Sequence, residues 1–141
     1  MSSNTYVTTG EVMTPSPKMV HGLSTVQEAI EIMRENVISS VVVERRYDGD
    51  EYGLLVVTDI ANKVIARDRS PERTNVYEVM TKPVISVDRD MDIKYACRLL
   101  GNFGISRALV TDAGDVVGIV TLRDMVLRYT KSEDDDGMNG L

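Results

Sequence analysis

The feature that most constrains the fold of this chain is an internal repeat. Residues of the first half recur 67 positions later up to a predicted hairpin loop, and 65 positions later beyond it. The clearest correspondences are Val12-Met13-Thr14 with Val79-Met80-Thr81, Ile38-Ser39 with Ile105-Ser106, Gly53 with Gly118, and Asp59 with Asp124. The two additional residues fall within Arg45 to Glu51, in a loop where extra length costs little free energy. A shared pattern whose only gap lies in a loop indicates duplication.

Each repeat predicts the same order of elements: a short extended opener, a helix, two strands joined by a hairpin, and a second helix. Apolar residues at helical spacing predict the first helix, namely Val26, Ala29, Ile30 and Met33 in one repeat and Ile93 to Leu100 in the other. Ser24 and Gln27 predict a capping box where the earlier helix begins. The strands are predicted at Val41 to Glu44, Gly53 to Val57, Ala108 to Thr111 and Val116 to Val120. The closing helices are predicted around Ile60 to Ile65 and Met125 to Tyr129.

A repeat of roughly 60 residues is a marginal size for burying a core by itself. We therefore expect the two repeats to pack on each other through their sheets, related by an approximate two-fold axis. The predicted fold class is α/β (α+β), built from two pseudo-two-fold related β-α-β-β-α repeats. The predicted boundaries are an N-terminal extension at 1–10, repeats at 11–69 and 76–130, a linker at 70–75, and a disordered acidic tail at 131–141.

Composition narrows the function classes. The net charge is −6, from 16 basic and 22 acidic residues, and this argues against a nucleic-acid partner, which needs clustered cations. No apolar run approaches the length of a membrane span, and the N-terminus lacks the pattern of a secretory signal. Cys97 is the single cysteine, so an internal disulfide cannot form. We expect a cytoplasmic protein with no membrane partner, no metal and no cofactor.

The segment Gly118–Asp124 carries the chemistry of a candidate site. It predicts the end of a buried strand followed at once by a helix. The Thr121 hydroxyl and the first N–H groups of the helix can bind a phosphate, and the Asp124 carboxylate can accept sugar hydroxyls. The same residues are also ordinary helix-capping residues, and an acidic group in a first helical turn is stabilising without a ligand. Arg107 can equally serve an ion pair with Asp112 or Asp115.

The doubled motifs resemble those of the cystathionine-β-synthase (CBS) domain pair, also called a Bateman module. The resemblance covers residues 10–129 and lies in the Val-Met-Thr openers, Gly-Ile-Ser-Arg before a strand, and Gly-Ile-Val-Thr-Leu-Arg-Asp before a helix. It implies a regulatory module without chemistry of its own, which binds AMP, ADP, ATP or S-adenosylmethionine in two clefts between the repeats. It also implies that two pairs associate into a flat homodimer.

Carried over by position, the resemblance implies one complete cleft. Its residues would be Thr14, Met19, Val37, Ile38, Ser106, Arg107, Thr121, Arg123 and Asp124. Asp124 would accept both ribose hydroxyls, Thr121 would bond a ribose or phosphate oxygen, and Arg107 would hold phosphate through two nitrogens. The apolar residues of the set would form a slot for a flat base.

The second implied cleft departs from the pattern. Its residues would be Ser40, Val56, Thr58, Asp59, Thr81 and Ser86. Ser40 stands where Arg107 stands in the other repeat, which removes the phosphate cation, and Val56 replaces Thr121, which removes the hydroxyl. Thr58 can compensate only in part. We therefore predict that this cleft binds nucleotide more weakly than the cleft with Asp124.

Three hypotheses for function follow. The leading one is a sensor whose nucleotide occupancy changes how it meets a separate effector protein, since this sequence carries no recognisable catalytic, transport or DNA-binding segment. The second is a structural dimerisation module with no nucleotide ligand. The third is a small nucleotide hydrolase, which neither a Walker-type loop nor a general-base pair supports. Cys97 is predicted to be a core residue, and His21, the single histidine, an exposed turn residue.

Overall fold

The computed structural model describes the backbone of residues 6–137 and the side chains of residues 6–129. The chain forms two compact units. One, here called the terminal unit, combines Met1–Ser16 with Ile85–Leu141, and the other, the central unit, is Pro17–Val84. The segment that opens each sequence repeat therefore folds with the body of the other repeat. The boundaries predicted from the repeats, 11–69 and 76–130, describe the duplication in the sequence rather than these physical units.

The fold is of the α/β class, with two sheets and five α-helices among the described residues. In chain order the elements are α1 (Thr9–Val12), β1 (Thr14–Pro15), β2 (Met19–Val20), α2 (Val26–Asn36), β3 (Ser40–Val43), β4 (Gly53–Val56), α3 (Val57–Ile60), β5 (Ser86–Asp88), α4 (Ile93–Phe103), β6 (Arg107–Asp112), β7 (Asp115–Thr121) and α5 (Leu122–Gly137). A π-helical turn at Ala61–Ile65 continues α3, and a 3-10 turn spans Val76–Glu78. The predicted order of elements is thus present in both repeats.

The central unit is built on the three-stranded sheet β2-β3-β4. Strand β3 pairs parallel with β2 and antiparallel with β4, and Ser40 lies directly opposite Val56. One face of this sheet is buried against the apolar side of α2 and the π-helical turn. The core residues are Val20, Val26, Ala29, Met33, Val41, Val43, Leu55, Ile60, Val64, Val76 and Val79. These segments form strands because they are short runs of Val and Leu, which suit a buried pleated surface. Alternate residues of each run lie in this core.

The start of α2 differs from the prediction by one residue. The capping box is formed by Thr25 and Glu28, not by Ser24 and Gln27: the Glu28 N–H donates to Thr25 Oγ1 at 3.1 Å, and the Thr25 N–H donates to Glu28 Oε1 at 2.8 Å. The sequence offers both registers. The backbone of Ser24 is held outside the helix, because its carbonyl accepts the Val76 N–H at 2.8 Å. Val26 can then become the first helical residue and be fully buried.

The terminal unit is built on a four-stranded sheet with the order β1-β7-β6-β5. Strands β6 and β7 form an antiparallel hairpin, β1 pairs antiparallel with β7, and β5 pairs parallel with β6. The core between this sheet and helices α4 and α5 contains Val7, Val12, Val87, Ile93, Ala96, Leu100, Ala108, Val110, Val120 and Met125. Val7 belongs to the predicted N-terminal extension and packs into this core; residues 1–5 lie outside the described range.

Helix α5 is longer than predicted. The backbone is helical through Gly137, whereas a disordered tail was predicted from Lys131 onward. A helix already anchored on a core adds further residues at little cost, because only nucleation is strongly unfavourable. The prediction of disorder is therefore not met over residues 131–137, and residues 138–141 lie outside the described part of the chain.

Two glycines fix where the openers dock. A Cβ atom at Gly118 would lie 2.8 Å from the Thr14 carbonyl oxygen and would overlap the Met13 side chain. In the central unit a Cβ atom at Gly53 would lie 2.8 Å from Met80 Sδ. A side chain at Gly118 would therefore push the opener backbone off β7, whereas at Gly53 it would require the Met80 side chain to move. In both units, the repeated Met of the opener thus packs against the repeated Gly of the strand.

Candidate functional site

Three predicted site residues meet at one end of the terminal sheet. Arg107 lies directly opposite Thr121 in the β6–β7 hairpin, and Thr14 pairs with Ile119, two residues earlier on β7. Because side chains alternate along a strand, all three lie on the face opposite Ala108, Val110 and Val120 of the core. The register alone therefore places two hydroxyls and a guanidinium on one face.

The junction between β7 and α5 uses its capping groups in the helix itself. The Asp124 N–H donates to Thr121 Oγ1 at 3.0 Å, and the Leu122 N–H donates to the Ser106 carbonyl at 2.9 Å. Two N–H groups at the start of the helix are thus already bonded within the protein. Fewer N–H groups therefore remain for a phosphate than the sequence suggested. Thr121 retains its hydroxyl hydrogen, which can be donated to a ligand oxygen. Arg123 stands exposed in this first turn.

Asp124 is held close to the protein surface with acceptor capacity to spare. Its side chain is 16% exposed, and its Oδ1 lies 3.7 Å from Arg128 Nη2, one helical turn further along α5. That separation is an ion pair but is longer than a hydrogen bond. The carboxylate can therefore still accept hydrogen bonds from the hydroxyls of a sugar.

The central unit has the same framework with different chemistry. The Val57 N–H donates to the Ser39 carbonyl at 2.9 Å, and Thr81 forms a β-bridge with Leu54, as Thr14 does with Ile119. Val56 has no hydroxyl to accept the Asp59 N–H, and Asp59 Oδ2 accepts the Val56 N–H at 3.3 Å. One oxygen of Asp59 is thus used to cap its own helix. The sequence reveals the missing hydroxyl but not this additional bond.

The remaining predicted residues are divided between the two units. Met19, Val37 and Ile38 belong to the central unit, whereas Ser86 lies on β5 of the terminal unit, opposite Leu109. Met19 is 37% exposed, Ile38 packs against the central core, and Thr58 is exposed at the start of α3. Whether these residues complete the two clefts stays a prediction.

Val37 has a backbone conformation that is unusual for its side chain. It ends α2 with φ 54° and ψ 51°, in the left-handed region, and it is 90% exposed. Gly104 occupies the matching position after α4 with φ 65°. A β-branched residue in this region is strained, whereas glycine is not. An exposed, strained residue at a predicted ligand wall is a reason to suspect a functional contact.

The alternative roles considered for single residues are partly settled. Asp112, one proposed partner for Arg107, is paired with Arg89 at 3.4 Å. Cys97 packs against the terminal core with its Sγ 3.8 Å from Met125 Sδ, and burial raises the pKa of its thiol, which disfavours the reactive thiolate. His21 is exposed as predicted, with Nδ1 3.2 Å from Glu44 Oε1. Within residues 6–129 there is no cluster of three His, Cys, Asp or Glu that could hold a metal.

Sequence patterns did not predict a groove of about 1120 Å³ in the central unit. It lies at the hairpin end of β3, away from Ser40, and is lined by His21, Gly22, Leu23, Ser24, Glu28, Val43, Glu44, Arg45, Arg46, Tyr77, Met80 and Lys82. At its side Asp50 is 6% exposed and is bonded to Lys82 Nζ at 3.0 Å and to Arg46 Nε at 3.2 Å. The Arg46 backbone N–H, followed by Lys82, holds the pKa of Asp50 well below its usual range. The loop with the two additional residues supplies this carboxylate.

The duplicated architecture matches a known protein family. The family model described as "CBS domain" matches twice, at residues 10–66 and 76–131, which is most of the chain. The chain belongs to the CBS domain family. The CBS pair therefore accounts for the duplicated elements and for the repeated Gly and Met positions. No described helix of this CBS pair is both long and apolar enough to cross a membrane.

Curated relatives of this CBS pair include proteins of similar and of greater length. It is 31% identical over 133 residues to the CBS domain-containing protein YhcV of Bacillus subtilis, covering 94% of this chain and 89% of that protein. It is 35% identical over 107 residues to an uncharacterised protein of Methanopyrus kandleri, covering 73% of this chain but only 54% of the relative. The chain thus spans about half the length of the latter.

Solved structures show the same architecture. The hexameric CBS-CP12 protein from bloom-forming cyanobacteria matches with a TM-score of 0.84 and 31% identity, covering 91% of this chain and 74% of that one. The CBS domain pair of protein MJ0100, solved in complex with 5′-methylthioadenosine and S-adenosyl-L-methionine, matches with a TM-score of 0.76 and 23% identity, covering 90% and 98%. At that identity the second likeness shows the fold alone.

Proposed function

We propose that this CBS pair is a regulatory module that binds one adenine nucleotide beside Asp124 and signals its occupancy to a partner protein. The observation that carries the proposal is the gathering of Thr14, Arg107 and Thr121 on one sheet face, next to the helix that bears Asp124. Family membership supports a regulatory rather than a catalytic role.

Each polar group has a distinct part in the proposed complex. Asp124 accepts the two ribose hydroxyls, because a carboxylate has several lone pairs and its neighbouring cation lies 3.7 Å away. The Thr121 hydroxyl donates to a ribose or phosphate oxygen. Arg107 binds phosphate through two nitrogens, while Ser106 and Arg123 flank it. The base occupies the apolar slot predicted from Met19, Val37 and Ile38.

Charge separates the possible ligands. Arg107 and Arg123 bring positive charge to the phosphate side of the proposed site. AMP, ADP and ATP carry negative charge there, whereas the sulfonium of S-adenosylmethionine is positive and would be repelled. A fold neighbour was solved with adenosine compounds that lack phosphate, so this preference needs its own test. We propose adenine nucleotides as the ligand class and S-adenosylmethionine as the weaker alternative.

The wider assignment is also a proposal. We propose that the protein is cytoplasmic and forms a homodimer. The homodimer would cover the outer faces of α4 and α5, which expose apolar side chains such as Tyr95, Phe103 and Val126. A solved relative is described as hexameric, so the assembly is to be measured. The competing function is a structural dimerisation module without nucleotide. In that case, helix capping by the Thr121 hydroxyl and the ion pair between Asp124 and Arg128 would be the whole role of these residues.

Mass spectrometry of small molecules released from protein purified under native conditions tests the proposal. We expect an adenine nucleotide from the wild type and none from Asp124→Asn prepared in parallel, with ATP recovered intact after incubation. If the wild type releases no adenosine compound, and millimolar nucleotide does not raise its melting temperature, the structural module is the better description.

A further inference from the structure

Arg128, which no sequence pattern singled out, connects Asp124 with the opener. Its Nη1 donates to the carbonyl oxygens of Val12 at 2.7 Å and Met13 at 2.8 Å. Its Nη2 lies 3.7 Å from Asp124 Oδ1. Those carbonyls end α1 and directly precede Thr14. One guanidinium thus joins the last turn of α1, the start of β1 and the first turn of α5.

Arg128 makes two kinds of contact: hydrogen bonds that hold the guanidinium in place, and a longer contact that leaves the Asp124 oxygens unoccupied. The two short hydrogen bonds fix the guanidinium on the opener, so its position does not depend on Asp124. The longer contact to the carboxylate attracts it by charge but leaves its lone pairs available. Arg128 can therefore set the orientation of Asp124 without competing with a ligand for its oxygens.

The same arrangement recurs in the central unit. Lys63 Nζ donates to the Val79 carbonyl at 3.2 Å and lies 3.7 Å from Asp59 Oδ1. Lys63 and Arg128 are 65 positions apart, the offset that also relates Asp59 to Asp124. A contact repeated in both units belongs to the shared design of the two junctions. Lysine performs it with one nitrogen, whereas arginine uses two that are held in a rigid plane.

We infer that Arg128 is the positioning residue for Asp124, holding the carboxylate where it accepts a ribose diol and tying it to the opener that carries Thr14. The inference rests on the proposed function. It concerns how the carboxylate is aimed, not whether the unit folds. Removing Arg128 should therefore weaken recognition of the ribose hydroxyls specifically.

The test is the ratio of dissociation constants for 2′-deoxyAMP and AMP, measured by calorimetry. For the wild type we expect a ratio of about 10 to 100, the loss of one hydrogen bond to a charged acceptor. Arg128→Gln should reduce the ratio to within about threefold of one, as Asp124→Asn does. Arg128→Lys, with one nitrogen in place of two, should give an intermediate ratio. Lys63→Gln, the matched change in the central unit, should leave the wild-type ratio unchanged.

The outcomes distinguish the two claims. If the wild type binds AMP and 2′-deoxyAMP equally, the ribose role of Asp124 fails, and the inference fails with it. If the wild type discriminates and folded Arg128→Gln discriminates as well, only the positioning role is overturned. If Arg128→Gln does not melt cooperatively, Arg128→Lys decides, because a ratio equal to that of the wild type or to that of Asp124→Asn contradicts the inference. In the Asp124→Asn background, Arg128→Lys should change the ratio no further.

Discussion

A second nucleotide site should be created by two substitutions in the central unit. Ser40→Arg and Val56→Thr would give β3 and β4 the side chains that Arg107 and Thr121 supply to the terminal unit. Ser40 and Val56 face each other across the hairpin, as Arg107 and Thr121 do, so the new groups would lie on one face. The new hydroxyl could also accept the Asp59 N–H, as Thr121 accepts that of Asp124.

The magnitude follows from the two missing groups. Loss of a charge-assisted hydrogen bond costs about 1.5–3 kcal/mol, and loss of a hydroxyl bond about 0.5–1.5 kcal/mol. Together they predict that the Asp59 site of the wild type binds about 30-fold to 2,000-fold more weakly than the Asp124 site, at about 1.4 kcal/mol per tenfold change. The bond from the Val56 N–H to Asp59 Oδ2 at 3.3 Å should weaken binding at the Asp59 site further, because it occupies one of the carboxylate oxygens. The wild type should thus bind one tight nucleotide per chain.

Isothermal titration calorimetry with AMP and ATP measures both stoichiometry and affinity. The wild type should give one tight site, Asp124→Ala should abolish it with the fold intact, and Asp59→Ala should leave it nearly unchanged. The double substitution should raise the stoichiometry toward two. Asp59→Ala in that background should return it to one, which is the matched control for adventitious binding to the new arginine.

Two results would refute this reasoning. Two equal sites in the wild type would mean that the arginine and the hydroxyl contribute little. Greater damage from Asp59→Ala than from Asp124→Ala would mean that the nucleotide occupies the other cleft. Far-UV circular dichroism and a cooperative melt for each variant exclude unfolding as the cause.

The remaining predictions concern stability and assembly. An adenine nucleotide at 100 times its dissociation constant should stabilise the fold by about 2.7 kcal/mol, seen as a rise of several degrees in melting temperature, and no rise with any nucleotide would favour the structural module. Light scattering at tens of micromolar should give a homodimer; a monomer with and without ligand contradicts this. Val37→Gly should stabilise the protein by up to about 1.5 kcal/mol, since it relieves about 1–2 kcal/mol of left-handed strain against about 0.5–1 kcal/mol of glycine entropy, while weakening nucleotide binding. The pKa of Asp50 is lower in the folded protein than in the unfolded chain, so its contribution to stability is present above about pH 4 and is lost as the pH falls. A melting temperature that loses part of its acid dependence in Asp50→Asn checks this.

The fold was largely predictable from the repeat. The run of β-branched residues at Val41, Val42 and Val43 predicted a buried strand, and the helical spacing of Val26, Ala29 and Met33 predicted α2 and its buried face. The physical units were less predictable, because no local pattern says that an opener folds with the other repeat; only the family resemblance grouped Thr14 with Arg107 and Thr121. That information lies in a tertiary contact, the close approach of Met13 to Gly118, which becomes visible as a pair only in three dimensions.

The candidate site was predictable in its residue types but not in its supporting contacts. Thr121 and Asp124 could be named from the motif, whereas Arg128 could not, because its partners Val12 and Met13 are more than a hundred residues away and are backbone carbonyls. Every residue has a backbone carbonyl, so the sequence does not show which carbonyl will accept a hydrogen bond from a distant side chain. The recurrence of a basic residue four positions after each aspartate is the one signal that could have identified it.

The two aspartates make different contacts within one repeated motif. An aspartate at the third position of a helix can cap the preceding N–H, or it can remain available to a ligand. Thr121 supplies a hydroxyl that accepts the Asp124 N–H, and the Asp124 carboxylate lies beside Arg128. Val56 has no hydroxyl, and the Asp59 carboxylate accepts the Val56 N–H. The two bonds serve different N–H groups and coexist in the capping box of Thr25 and Glu28, so the hydroxyl alone does not decide what the carboxylate contacts. The proposed difference in nucleotide affinity therefore rests on two separate features, the missing hydroxyl and the carboxylate oxygen that Asp59 commits to its own helix. Duplicated junctions that began alike can diverge in this way without any change in their fold.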